Sequence, residues 1–524
     1  MPIRRAIAAL AALLLAIAPA ALAAQPLVRI DTGAARGTAS HGIAAYLGLP
    51  YAAPPTGDLR WRPPRTARAW PGVRAATAFA PACPQTGVSM PGETPPTTSE
   101  DCLYLNVWTP AGPTAPPAPV MVWIHGGAYA NGATSIPLYW GDRLARRGVV
   151  VVSIAYRLGP LGYLAHPELT AESPHATSGN YGLMDQIAAL QWVRRNISAF
   201  GGDPKNVTIA GQSSGAMSVS LLLASPLAAG LFHRAIGQSG GVFEPVQLAP
   251  QYRLAAAEED GVAYAQSVGA TSLSELRRLP AARLLEGRSG QVSHPVLEPH
   301  VLPRTPYEAY AAGRQNDVPV LIGSNAEEAN SLIDLNAVRA ATFAKDVERA
   351  WGALPPQLTA AYPFSSDAEA RRARAGFERD LRFGWDMWAW ARLQAMPGRR
   401  PAYLYRFSQR PPFPEDSARA GWGAAHFAEL WYMTDHLDQE TWAWTASDRR
   451  LADIMARYWV NFARSGDPNG PGLPPWPAFA DGGQMLDLGD RVRPIPAPAD
   501  PQLAVFDAVY DAVRGAAFGR PPKP

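Results

Sequence analysis

Lysine is nearly absent from this chain: only Lys205, Lys345 and Lys523 occur, and arginine carries the remaining positive charge. The totals, 47 Lys+Arg against 44 Asp+Glu, almost cancel, and setting Arg4 and Arg5 aside brings them closer still. That balance gives no electrostatic reason to bind nucleic acid or an anionic membrane. The arginine excess, with abundant alanine and 53 prolines, reads as compositional bias. Cysteine is scarce too. Cys83 and Cys102 are the whole set, and no histidine or cysteine stands at ligand spacing beside them, which argues against a metal site. In an oxidising compartment the two pair and close one surface loop; the alternative is a pair of buried free thiols. Beyond the N-terminal segment no apolar run approaches the roughly eighteen residues of a membrane span. Linkers, repeats and charge blocks are also missing after residue 118. Length alone would suggest two to four domains, but nothing marks where to divide them.

The apolar share, 47%, is that of an ordinary globular protein with a large core. Residues 1–23 read as an export address: Arg4 and Arg5, an apolar run over 6–18, Pro19, then small residues through Ala23. The mature protein is therefore expected to be soluble and exported, to the periplasm or the medium. From there strand and helix patterns alternate. Residues 119–124 (PVMVWI) and 149–155 (VVVVSIA) read as buried strands, 138–147 as a helix, and 183–200 as an amphipathic helix. Uniformly apolar strands separated by helices imply a mostly parallel sheet covered on both faces, with reactive residues on loops at the strands' carboxyl ends.

One stretch organises the rest. Residues 207–210 form a short strand pattern, Gly211-Gln212-Ser213-Ser214-Gly215 follows, and 216–224 is an apolar helical run. Strand, G-x-S-x-G, helix is the signature of a nucleophile elbow. The turn forces Ser213 into a strained backbone conformation and requires small neighbours. The Ser214 amide, at the helix start, faces the place where an oxyanion would form. His125-Gly126-Gly127-Ala128-Tyr129 lies at another strand end, where the Gly127 and Ala128 amides complete a three-donor oxyanion hole.

With these residues in view, the chain resembles the type-B carboxylesterase family, which includes the cholinesterases. The matching stretches are 49–64 (LPYAAPPTGDLRWRPP), 100–110 (EDCLYLNVWTP), the HGGAY turn, 179–215 ending in GGDPKNVTIAGQSSG, and 234–240 (RAIGQSG). The resemblance implies an α/β-hydrolase fold with large insertions, as a single domain over 24–524. It also implies the Cys83–Cys102 disulfide, an ion pair between Glu100 and Arg157, and hydrolysis of carboxylic esters without metal or cofactor. The expected partner is a small-molecule ester, with no nucleic acid and no stable membrane anchor.

A serine hydroxyl needs a base, and in this fold the order is serine, acid, histidine. After Ser213 come His233, His294, His300, His426 and His436. His233 leaves no room for an acid on a later strand, and His294 and His300 precede the best acid candidate. His436 has no strand ahead of it. His426, in GWGAAHFAELWYM, follows a strand pattern at 402–407 and matches the family's position. The acid should leave the strand 318–323 (VPVLIG), at Glu327-Glu328. Register with the family's G-x-N-x-[DE]-E-G selects Glu328, although Ala329 replaces the usual glycine. Ser239 matches a family position that helps hold the acid. Farther on, 367–396 reads as one long helix whose Trp385, Trp388 and Trp390 belong either to the core or to a wall of the site. A second long helix covers 447–465, late strands fall within 476–488, and a closing helix covers 505–513. Asn196 and Asn206 head glycosylation sequons but read as structural.

Two departures bear on substrate. The segment between Cys83 and Cys102 has no aromatic residue, whereas cholinesterases carry there a tryptophan that binds quaternary ammonium. Gln212 replaces the acidic residue usual before the serine. Both argue against choline esters. The alternative readings are a lipase, amidase or carbamate hydrolase of the same fold, or a non-catalytic cholinesterase-like adhesion module. The last would lose triad residues and gain an anchor.

Overall fold

The computed structural model describes residues 25–520, except 89, 91, 92, 113–115, 481, 482, 498 and 499. The expected export segment, 1–23, lies outside the described residues. Five strands open the chain: β1 (Leu27–Ile30), β2 (Gly33–Arg36), β3 (Thr38–Ser40), β4 (Ile43–Pro50) and β5 (Val73–Ala75). Then come β6 (Tyr104–Pro110), β7 (Ala118–Ile124), β8 (Val150–Ile154), β9 (Gly202–Gln212) and β10 (Arg234–Gln238). The last four are β11 (Val320–Asn325), β12 (Ala402–Phe407), β13 (Gln484–Leu488) and β14 (Arg493–Pro496). Strands β1, β2 and β5 make a small sheet, and the other 11 make one large sheet ordered β14-β13-β12-β11-β10-β9-β7-β8-β6-β4-β3.

The large sheet is parallel from β13 through β8 and antiparallel at both margins. The parallel centre follows from composition. Strands β7 and β8 are buried at every position, which requires cover on both faces. Alternate residues of β7 serve opposite layers. Val120, Val122 and Ile124 join one core with Leu190 and Val193 of the helix Tyr181–Asn196. Met121 and Trp123 join the other with Leu451, Met455 and Trp459 of the helix Ala446–Ser465. The sheet is thus a slab between two apolar layers, and every parallel strand delivers its carboxyl end to one rim. Among the described residues, no helix is long and apolar enough to cross a membrane.

Several sequence expectations need correction. The helix expected over 138–147 is a 3-10 turn, Pro137–Tyr139, followed by a short helix, Asp142–Arg146, because Pro137 and Gly141 interrupt the run. The long helix expected over 367–396 is interrupted. Asp367–Arg379 and Trp385–Gln394 are α-helical, and a π-helical turn, Asp380–Gly384, joins them. The acid strand extends to Asn325 rather than stopping at Gly323. The expected ion pair between Glu100 and Arg157 is not formed. Glu100 takes a two-pronged bond from Arg60, at 2.6 and 2.8 Å. Arg157 instead pairs with Asp185 at 2.7 Å, with both side chains buried. Asp185 sits one turn into the long helix and also accepts the Arg157 backbone N–H at 3.0 Å, a local arrangement that outcompetes the more distant Glu100.

The sequon residues serve the scaffold. Asn196 is 4% exposed, accepts from the Asp31 amide and donates to the Trp192 carbonyl. Asn206 accepts from Arg234 and donates to the Arg464 carbonyl.

Cys83 and Cys102 form a disulfide. The loop that it closes is more than a surface feature. Gln85 donates to the Gly132 carbonyl, the Gly87 amide donates to Asn131, and Val88 reaches the cavity described below. Cys83→Ser is expected to lower Tm by several degrees, since closing such a loop stabilises by about 3 kcal/mol in the chain-entropy model. Ester hydrolysis should persist with a raised KM. Finding two titratable thiols in the native protein would contradict the pairing.

Candidate active site

The elbow is built as its glycines require. Ser213 has φ 57° and ψ −129°, a region that costs a side-chain-bearing residue of order 1–3 kcal/mol. Its neighbours leave no space for larger residues. A Cβ on Gly211 would lie 2.4 Å from the Gly215 backbone, and one on Gly215 would lie 2.1 Å from the Ile124 carbonyl. Strand β9 and the helix Ser214–Ala224 therefore meet at Ser213 with β7 pressed against the turn. The Ser213 amide is tied to the Gln238 carbonyl at 2.9 Å.

The turn after β7 is equally constrained. Gly127, Ala128 and Tyr129 have consecutive positive φ values of 112°, 54° and 60°. Among the described residues, neither the Gly127 nor the Ala128 amide donates to a protein acceptor. Both residues line a cavity of ≈ 460 Å³ together with Ser213, Ser214 and His426. His125 braces the turn from beneath. Its Nδ1 donates to the Gly126 carbonyl at 2.9 Å, and its ring stacks on Tyr156 with centroids 4.5 Å apart. Burial pushes its pKa down to about 4, so the strut stays neutral.

Strands β11 and β12 supply the remaining groups. Glu328 is fully buried at the exit of β11. One carboxylate oxygen accepts the Asn325 amide at 2.7 Å, and the other accepts from His426 Nδ1 at 2.6 Å. A carboxylate can only accept, so Nδ1 carries the proton and Nε2 is left as the acceptor. The His426 ring lies flat on Phe383, with centroids 4.6 Å apart and planes 4° apart. The Gln212 side-chain nitrogen lies 3.1 Å from Nε2 and 3.4 Å from Nδ1. Ser213 makes no hydrogen bond to His426; the two meet across the cavity. Glu327 points elsewhere. It pairs with Arg410 at 2.8 Å and accepts the Ala424 amide at 2.8 Å, while its own amide donates to the Ala424 carbonyl.

Ser239 does not hold the acid. Its hydroxyl is buried with no hydrogen-bond partner, and its amide donates to the Gly323 carbonyl. Support comes from residues that the sequence reading passed over. Asn325 donates its side-chain N–H to Glu429 at 2.6 Å and to the Ala425 carbonyl at 2.7 Å. Glu429 is fully buried and also accepts from Gln238 at 3.1 Å. Burial, and then the neighbouring Glu328, raises its pKa. Its position one turn after His426, in an otherwise apolar run, was the available signal. Phe383, Leu381 and Arg382 come from the π-helical turn and line the cavity. Trp385 and Trp390 are core residues, bonded to Asp507 and to the Tyr310 hydroxyl, and Trp388 is only partly buried and lies outside the cavity lining. His436 is likewise structural, buried against Asp142 at 2.8 Å.

A constrained serine, a histidine with one nitrogen fixed by a buried carboxylate, and free amides around one cavity suit acyl transfer. The comparisons agree. The Carboxylesterase family model matches residues 24–500. A fumonisin B1 esterase from Sphingopyxis macrogoltabida is 36% identical over 465 residues, covering 86% of this chain and 84% of that protein. A para-nitrobenzyl esterase from Bacillus subtilis (strain 168) is 35% identical over 476 residues, covering 86% and 92% respectively. A solved structure of a PNB esterase superposes with a TM-score of 0.79 at 33% identity, covering 92% of this chain and 100% of that one. The chain belongs to the carboxylesterase family, has the α/β-hydrolase fold, and is a carboxylic ester hydrolase.

Proposed function

We propose that Ser213, Glu328 and His426 carry out ester hydrolysis as nucleophile, orienting acid and general base, with the Gly127, Ala128 and Ser214 amides as the oxyanion hole. The observation that carries this reading is the 2.6 Å contact between His426 Nδ1 and Glu328, beside a cavity that also holds Ser213. His426 Nε2 takes the Ser213 proton as Oγ attacks the ester carbonyl. The negative charge that develops on the carbonyl oxygen is met by the three amides. Glu328 holds the ring in the tautomer with Nε2 unprotonated and stabilises the cation. The same proton then goes to the departing alkoxide, and the alcohol leaves. Water repeats the cycle on the acyl-enzyme, releasing the carboxylic acid and restoring Ser213.

Residues 24–524 act as one domain, and residues 1–23 direct export. The disulfide is compatible with an oxidising compartment. Diethyl 4-nitrophenyl phosphate tests the assignment. One diethylphosphoryl group should attach per chain, on the peptide containing Ser213, with matching loss of ester hydrolysis. Inactivation with the label on any other residue would refute the assignment.

A further inference from the structure

The cavity that holds Ser213 also carries two carboxyls and a histidine that the proposed reaction does not use. Glu244, in the loop following β10, and Asp386 both line it, together with His294 and Tyr252. Asp386 is 5% exposed, and one of its oxygens accepts the Phe243 amide at 3.1 Å. His294 Nδ1 donates to the Pro295 carbonyl at 3.0 Å, which leaves Nε2 as an acceptor; that atom is buried and unpartnered. Tyr129, 6% exposed, lines the same cavity. The cavity thus presents two carboxyls and an imidazole nitrogen without a partner, and the charge of Arg514 behind them offsets only part of the effect of burial on the carboxyls.

We propose that Glu244, Asp386 and His294 form a subsite for an ammonium group bearing at least one N–H, carried by the acyl or alcohol part of the ester. This rests on Ser213 acting in the same cavity. A quaternary ammonium has charge but no N–H to give, so it satisfies the carboxyls only at long range. The aromatic-free disulfide loop and Gln212 point the same way. The cation site usual for choline is missing, and the carboxyls of this cavity come from other positions, Glu244 and Asp386.

The groups facing the pair are Tyr129, Tyr252 and His294 in the cavity, with Tyr510 and Arg514 behind it. Arg382 also lines the cavity, but it is engaged by Glu378 at 2.8 Å and lies over the Trp351 ring. Burial, and then Glu244, raises Asp386 well above the usual carboxylate range, and burial raises Glu244. The pair therefore holds a proton to higher pH than free carboxyls do. Affinity for an ammonium should rise as pH increases through that titration, because the cation binds the ionised form.

The test uses two substrate series on the full-length mature enzyme. One compares 2-(dimethylamino)ethyl butyrate, its neutral isostere 3-methylbutyl butyrate, and butyrylcholine. The other compares methyl 6-aminohexanoate with methyl heptanoate. In one series the N–H cation should have a KM lower by about tenfold or more than its isostere, the effect of one charged hydrogen bond. Butyrylcholine should fall with the neutral ester. Glu244→Gln and Asp386→Asn should each bring the ratio of cationic to neutral kcat/KM towards one. The ratio should rise with pH as the pair ionises; protonation of the catalytic base cancels from it. The proposal is overturned if wild type favours the neutral ester in both series, if butyrylcholine matches the tertiary amine, or if both variants keep the wild-type ratio. The wild-type comparison needs no variant to fold. Failure of the Ser213 assignment would appear separately, in the phosphoryl labelling.

Discussion

Ser213→Ala is expected to lower kcat/KM on a soluble neutral ester by roughly 10³-fold or more while leaving the circular dichroism spectrum unchanged. The effect is large because no neighbouring group can replace the hydroxyl. Ser214 Oγ accepts from the Tyr129 amide, and the Ser239 hydroxyl is enclosed within the structure. Activity should not vanish, because the amides proposed as the oxyanion hole would still favour attack by water. Stability should hold or rise slightly. Ser213 keeps its positive φ through the bond from its amide to Gln238, which alanine preserves, and only the side-chain oxygen is removed. A folded variant with turnover near wild type would show that another residue attacks the ester.

The second large effect separates two adjacent carboxylates. Glu328→Gln should lose at least about 10²-fold in kcat, because an amide there can present N–H to His426 Nδ1 and favour the wrong tautomer. It also removes the charge that stabilises the imidazolium. Glu327→Gln should lose less than about tenfold, since its carboxylate pairs with Arg410 and faces solvent. Glutamine retains a carbonyl oxygen to accept the Ala424 amide, so the loop before His426 keeps its tie. Both variants should be measured side by side on one soluble ester. The reverse ranking would mean that Glu327 orients the histidine, contrary to the contacts seen here.

The parallel centre of the sheet and the elbow were legible because both rest on local rules. Buried strands lack charge, and a strand that turns directly into a helix needs glycine on each side of the serine. The choice of Glu328 over Glu327 was less accessible. Periodicity ends where the strand gives way to a turn, so only register with a known pattern could decide. Ion-pair partners were harder still. The resemblance paired Arg157 with Glu100, whereas the partner is Asp185, and that outcome depends on three-dimensional proximity that spacing does not encode. The cavity wall was the least legible part. Asp386 sits among tryptophans in a stretch that scans as continuous helix, and the π-helical turn before it leaves no mark in an apolar-polar pattern. Glu244 follows Phe243 in a loop without any motif.

That π-helical turn also bears on how the enzyme's substrate range could diverge. A π-turn amounts to one residue inserted into an α-helix, and each residue turns the helix by about 100°. The helical segment after it is fixed by Trp385 and Trp390 in the core, so loss of that residue could not be absorbed there. The change of phase would fall on Leu381, Arg382 and Phe383, the residues facing the cavity and the His426 ring. A single-codon deletion could therefore exchange the wall beside the histidine in one step while the core and the elbow stayed in register.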